Sequence, residues 1–228
     1  LNDDRLWRAY GITIARTVIG TISALIYTAI VGYAMSRQNL RGRNTFYKIF
    51  IFTMFFSGGT VPYYLIISAL GLFDSFLVYI IPCLFSVYNM LVFSNFFRGI
   101  PEEIRESAVM DGASEFRIFT SIIMPLSTPV ISTVALWIAV GHWNSFYDTM
   151  LYTSDNKLWT LQYYLMKVIK ESSIPTNIGG LPSDILQNVS PETVSFAAII
   201  ISIIPILVVY PLIFKMLTKG VVVGSLKG

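Results

Sequence analysis

Five stretches of this chain contain no Asp, Glu, Lys or Arg: residues 17–36, 49–73, 75–97, 118–147 and 193–214. They hold 20, 25, 23, 30 and 22 residues. A helix crossing the hydrocarbon core of a membrane needs about 20 predominantly apolar residues, each adding 1.5 Å. Each stretch therefore predicts one spanning helix, and a soluble globule or a disordered chain is excluded. Charged residues make up 13% of the 228, about half the roughly 25% of a soluble domain. The fold class expected is an all-α polytopic membrane protein. A single transmembrane domain, residues 1–228, would carry helices at about 8–36, 46–70, 76–97, 126–151 and 193–216.

The net charge of +3 does not point to nucleic acid, because the basic residues are scattered between the apolar stretches. They bear on topology instead. Arg37, Arg41, Arg43 and Lys48 fall in one loop with no acid, which places that loop in the cytoplasm by the positive-inside rule. Residues 98–125 and the tail from Lys215 then follow on the inside, and 152–192 form a long outer loop. Ten Lys and Arg lie inside and five outside under this assignment. The N-terminus is outside and the C-terminus cytoplasmic. An external start at Leu1 is most simply explained by a preceding helix, so six spans are expected in the parent protein.

Several apolar stretches carry helix breakers. Ser57-Gly58-Gly59 and Pro62 interrupt the second, Pro82 the third, and Pro205 and Pro211 the fifth. Proline removes a backbone hydrogen bond and kinks a helix. At membrane depth such breaks survive where neighbouring helices or a water-filled cavity satisfy the freed groups. A bundle around a pathway and simple packing kinks both fit. The single Cys83 excludes an internal disulfide, and one histidine rules out a His-rich metal site; no metal ligands are expected.

The loop 98–125 is where acids concentrate. Glu102, Glu103, Glu106, Asp111 and Glu115 are five of the chain's thirteen. Two short helices joined at Gly112 are predicted. Pro101 suits a first helical position, Glu102 and Glu103 complement the helix dipole, and glycine suits the C-terminal turn. The second helix runs from about Ser114 to Met124, closed by Pro125. An amphipathic pair of this kind suits a groove in a partner protein, or lies solvated on lipid headgroups.

Glu106-Ser107-Ala108, Asp111-Gly112-Ala113, Ile122 and Met124-Pro125 resemble the EAA loop of ABC-importer permeases of the MetI-like core. That pattern is Glu-Ala-Ala, a glycine four residues later, nine residues, then Ile-x-Leu-Pro. Ser107 and Met124 are mild departures from it. Residues 7–35, the Trp143-Asn144-Ser145-Phe146 segment and the tail Gly220 to Gly228 resemble the carbohydrate subgroup, of the second maltose-permease-subunit type. The outer loop, with its WTLQYYLMKVIK run, suggests the branch handling oligosaccharides, acidic fragments included. The resemblance implies a bacterial cytoplasmic (inner) membrane and alternating access. It implies a second permease subunit, with a heterodimer favoured, two ATPase subunits and an extracellular or periplasmic solute-binding protein. Glu106 would contact the ATPase cleft, Ala108 would allow close approach, and Gly112 would provide the turn. Gly224, Lys227 and Gly228 would reach the ATPase interface.

No Gly-Lys dipeptide occurs, so this chain has no phosphate-cradling loop. No cofactor is expected in this chain, and the resemblance implies that ATP and Mg are bound by the partner ATPases. His142, Trp143, Asn144 and Asp148 are candidates for lining the pathway, since ionisable groups in spans default to function. An interfacial belt of Trp143, Tyr147 and Tyr152 is the competing reading. Arg16 either snorkels outward or pairs inside the bundle. An ion-driven carrier would want carboxylates near midplane, and the central parts of all five stretches have none. A membrane hydrolase would want a nucleophile beside His142, and none is evident. An amino-acid or peptide permease of the same architecture stays open as an alternative. No enzymatic activity is expected.

Overall fold

The first apolar stretch folds as one uninterrupted rod because nothing in it breaks a helix. Helix α1 (Asp4–Ser36) has 33 residues and is about 50 Å long at 1.5 Å per residue. Its small residues Gly20, Ala24, Thr28 and Gly32 recur every four positions and are all buried. Such a stripe lets neighbouring backbones approach closely inside a membrane. A Cβ at Gly20 would stand 2.5 Å from His142 Nε2, and one at Gly32 would stand 2.7 Å from Phe93 Cβ. The opposite face exposes Ile14, Val18, Ile19, Ile22, Ile26 and Ile30.

The computed structural model describes residues 4–172, 193 and 195–207, and among these there is no strand. The interruptions expected in the second and third apolar stretches are present, and they are sharp. The 46–70 stretch divides into α2 (Arg43–Phe55) and α3 (Thr60–Ala69), whose axes differ by 113°. The break falls at Ser57-Gly58-Gly59, where Gly59 has φ +85°, a region that glycine enters without steric cost. Pro62 makes no kink. It sits in the first turn of α3, where backbone N–H groups have no intrahelical acceptor anyway.

The 76–97 stretch begins as two 3₁₀ turns, Phe76–Tyr79 and Ile81–Cys83, with Pro82 in the second. It continues at 48° as α4 (Val87–Arg98). Ser86 caps α4 by accepting from the Asn89 N–H at 3.4 Å. The loop 98–125 contains α5 (Glu102–Met110), α6 (Glu115–Ile118), a π-helical turn (Phe119–Ile123) and α7 (Met124–Leu126). Pro101 precedes α5 instead of opening it, and Pro125 lies inside α7. The chain bends instead at Ser127, by 83°, into α8 (Thr128–Asn144). Proline at position 129 donates no N–H in the first turn of α8, so the bend sits where no helical bond is lost.

A short helix α9 (Tyr147–Tyr152) and α10 (Leu161–Ser172) follow. Helix α11 (Ser195–Leu207) covers part of the fifth stretch. Among the described residues α1 alone is long and apolar enough to cross a membrane as one helix. Counting each bent pair as one span raises the number to four.

Helices α4 and α8 pack along the small-residue stripe of α1. Three buried clusters result. One joins Tyr33 of α1, Phe93 and Phe97 of α4, Ala108 of α5, Ile118 and Phe119 beyond it, and Val130 and Val134 of α8. A second gathers Ile67, Tyr79 and Tyr152, and a third Leu6, Trp143, Leu161 and Leu165. The first cluster fixes the α5–α6 hairpin to the bundle.

Candidate coupling site

Helix α5 ends in a complete Schellman turn. The Ala113 N–H donates to Ala108 O at 2.9 Å and the Gly112 N–H to Val109 O at 2.9 Å. Gly112 has φ +79°, the left-handed conformation this motif requires. Ser114 then caps α6 by accepting from the Arg117 N–H at 3.4 Å. The expected glycine-centred hairpin is therefore present, with boundaries close to those anticipated.

Its two faces differ. Ala108 turns inward and packs with Tyr33, Phe97 and Phe119, so its small size seats α5 on the chain's own core. Glu106, Ser107, Asp111 and Gly112 are exposed and Ala113 is half-buried. Beside them Met110 is 86% and Phe116 74% exposed. A carboxylate next to two large apolar side chains, on a hairpin held from behind, can enter a partner's cleft. Glu106 offers charge-assisted hydrogen bonds there.

Sequence reasoning missed what holds the hairpin's position. Arg37, just past the end of α1, forms a fork on Glu102, with Nη1 donating to Oε2 at 2.9 Å. Arg105 Nε donates to Glu102 Oε1 at 2.7 Å, and its Nη1 to Glu115 Oε1 at 2.6 Å. Tyr33 completes the chain by donating its hydroxyl to Glu115 Oε2 at 2.6 Å. The Arg37 guanidinium, aided by Arg105, holds the Glu102 carboxyl down at about 2. The four basic residues of 37–48 marked topology, but nothing in their spacing pointed to an acid 65 positions away.

The four pathway candidates at the other end are separated by the structure. His142 is buried against Gly20. Trp143 is buried among Leu6, Leu161 and Leu165 and donates Nε1–H to Ser202 O at 3.2 Å. Asn144 is exposed and bonds back to Val140 O at 3.0 Å. Of the four, Asp148 borders a cavity beside the Gly58-Gly59 break. That cavity, about 530 Å³, is bounded by Asp148, Ser145, Tyr63, Tyr147, Tyr152 and the Gly58-Gly59 break.

Arg16 pairs inside the bundle. Both its terminal nitrogens donate to the Asp148 carboxylate, and its guanidinium lies 4.6 Å from the centre of the Tyr79 ring. Asp148 also accepts from the Ser145 hydroxyl at 2.9 Å and the Thr149 N–H at 3.0 Å. Gly224, Lys227 and Gly228, and most of the 152–192 loop beyond α10, lie outside the described residues.

Comparison with known proteins agrees with this geometry. The family described as "Binding-protein-dependent transport system inner membrane component" matches residues 17–223. Protein LplC of Bacillus subtilis (strain 168) is 39% identical over 97% of this chain and 74% of its own length. From the same organism, the polygalacturonan/rhamnogalacturonan transport system permease protein YtcP is 36% identical, over 99% of this chain and 78% of its own. Among solved structures, a chain of a bacterial ABC transporter involved in the import of the acidic polysaccharide alginate superposes with a TM-score of 0.84. It is 33% identical, and the match covers 94% of this chain and 76% of that one. Matched nearly end to end by proteins of transport systems, with a permease among them, the chain belongs to the family of inner membrane components of binding-protein-dependent transport systems.

Proposed function

We propose that this chain is the membrane permease subunit of an ATP-driven importer of carbohydrates, oligosaccharides in particular. The observation that carries the mechanism is the α5–α6 hairpin: Glu106, Met110 and Phe116 project outward while Ala108 and the ion network hold it from behind. The hairpin docks in a cleft of a cytoplasmic ATPase subunit that binds ATP and Mg. A solute-binding protein delivers substrate on the outer side, and a second permease subunit, in a heterodimer, completes the pathway. Closure of two ATPase subunits shifts the bundle between outward and inward access. In this reading the chain makes five crossings and ends in the cytoplasm, and the tail residues Gly224, Lys227 and Gly228 contact the ATPases.

The substrate class rests on the relatives named above, whose names and titles specify polygalacturonan, rhamnogalacturonan and alginate. Asp148 with Tyr63, Tyr147 and Tyr152 forms a cavity that suits sugar, since aromatic faces and hydroxyl acceptors line one space. His142, Trp143 and Asn144 shape that end of the bundle without lining the cavity.

The test is purification of the assembled transporter, followed by ATPase assays across neutral and acidic oligosaccharides, amino acids and peptides. Stimulation by oligosaccharides is expected. Stimulation by amino acids or peptides and by no sugar would overturn the substrate class. Replacing Glu106 by Ala is expected to reduce retention of the ATPase subunits while membrane insertion stays intact.

A further inference from the structure

The hairpin must hand its displacement to the bundle, and the covalent chain leads from it only to α4 and, through the bend at Ser127, to α8. Helix α1 is not adjacent to it in sequence. Tyr33 of α1 touches it through apolar packing, and the ion network adds a directional connection. Arg37 follows the last residue of α1, Glu102 is the first residue of α5, Arg105 lies one turn later, and Glu115 is the first residue of α6. Two cations and two anions form a neutral chain in which each arginine touches a carboxylate and Arg105 touches both. Each acid also stands at the positive end of a helix dipole, and Arg37 at the negative end of another.

Exposure argues that this network serves position more than stability. Glu102 is 48% exposed, and ion pairs this open to water contribute little net free energy. A forked arginine–carboxylate contact nevertheless fixes direction as well as distance. The ring of Tyr33 is buried against Phe97 and Phe119, so its hydroxyl ties the polar network to the packed core. From Arg37 the rigid helix runs about 30 Å back to Arg16 at 1.5 Å per residue. There Arg16 holds Asp148, which lines the cavity.

We propose that Arg105 is a positioning residue: with Glu102, Glu115, Arg37 and Tyr33 it locks the coupling hairpin to α1, making α1 the rod that moves the cavity when the hairpin moves. This rests on the reading of the hairpin as an ATPase-coupling element. Coupling carried by rigid elements and ion-pair networks has precedent as a physical mechanism. Here the path is contiguous, from hairpin to network to helix to buried ion pair.

The experiment uses the assembled transporter in lipid vesicles and reads three quantities: retention of the ATPase subunits, ATP hydrolysis, and solute transported per ATP hydrolysed. Arg105→Met and Tyr33→Phe are compared with wild type, the latter keeping the buried ring and losing only the hydroxyl. Arg105→Met is expected to retain its ATPases and hydrolyse ATP, yet move roughly five-fold less solute per ATP, the low end of ordinary coupling between sites. Tyr33→Phe should shift the same ratio in the same direction, by less. Arg37→Gln and Glu102→Gln combined should cost no more than the worse single change, because Glu102→Gln already weakens the one contact that Arg37→Gln removes.

Unchanged transport per ATP in both Arg105→Met and Tyr33→Phe would overturn the lock. So would a loss of transport that merely tracks a loss of bound ATPase. If Arg105→Met does not assemble, Tyr33→Phe alone decides. Glu106→Ala separates the two ideas: wild-type ATPase retention and transport there sinks the docking reading itself, whereas its failure with unchanged Arg105→Met ratios sinks only the lock.

Discussion

The two ends of α1 solve the same chemical problem in different solvents. At Arg37 the arginine–carboxylate contacts stand partly in water, with Glu102 about half exposed. At Arg16 the guanidinium is 1% exposed and the carboxylate of Asp148 17%. The exposed network fixes geometry while contributing little net free energy. The buried pair cannot lose a partner cheaply, because either one left alone is an uncompensated charge in a medium that solvates it poorly. One end of the rod thus serves position, and the other penalises the loss of either partner.

The sharpest way to break that contrast is to remove one buried partner. Asp148→Ala strands Arg16 and is expected to destabilise the detergent-solubilised protein by about 3–5 kcal/mol, read by thermal unfolding. Arg16→Met with Asp148→Leu should recover much of the loss. A single change as mild as one in the exposed network would show that water reaches this pair.

Next come the glycines where α1 meets its neighbours. Gly32→Ala drives a Cβ against Phe93 Cβ and near Met90 O, and Gly20→Ala drives one into the His142 ring. Each should cost about 1–3 kcal/mol by overpacking. Gly32 should be the worse of the two, since its obstacle includes backbone, and side-by-side melting curves decide the order. Gly112→Ala faces no steric neighbour but must hold φ +79°. The expected loss is about 1–2 kcal/mol, seen as weaker amide protection around Ala108 to Ala113.

The smallest effect belongs to pH at the exposed end. Arg37 lowers the Glu102 carboxyl to about 2, against about 4.3 in an unfolded chain. The contribution is therefore complete above pH 4.3 and disappears as pH falls toward 2. Water screening keeps it small. A comparison of wild type with Glu102→Gln should show two stability curves parallel above pH 5 and converging below pH 4.

Legibility in the sequence followed the range of the interactions. The charge-free stretches, the Ser57-Gly58-Gly59 break and the glycine turn at Gly112 depend on residues adjacent in the chain, and all could be read directly. Directions could not. Nothing local says that α2 and α3 differ by 113°, or that the bend near Pro125 falls at Ser127. Apolar periodicity describes faces and is silent on where axes point. The pairing of Arg16 with Asp148 spans 132 positions, and the sequence allows Arg16 an outward snorkel as readily as an unnamed partner in the bundle. His142, Trp143, Asn144 and Asp148 looked like one cluster because they are neighbours in sequence. Each step around a helix rotates the side chain by about 100°, and the chain leaves α8 after Asn144 before Asp148 enters α9, so the run divides among core, solvent and cavity.

Met110 and Phe116 also matter to a subunit made in excess. Two large apolar side chains exposed on one acidic hairpin are a surface that a soluble protein normally avoids. Under the proposed docking, an unassembled copy would carry these side chains facing water and an assembled copy would cover them. The tip that fits a partner would then also mark an unassembled copy, and the membrane content of the chain would follow the supply of its partner.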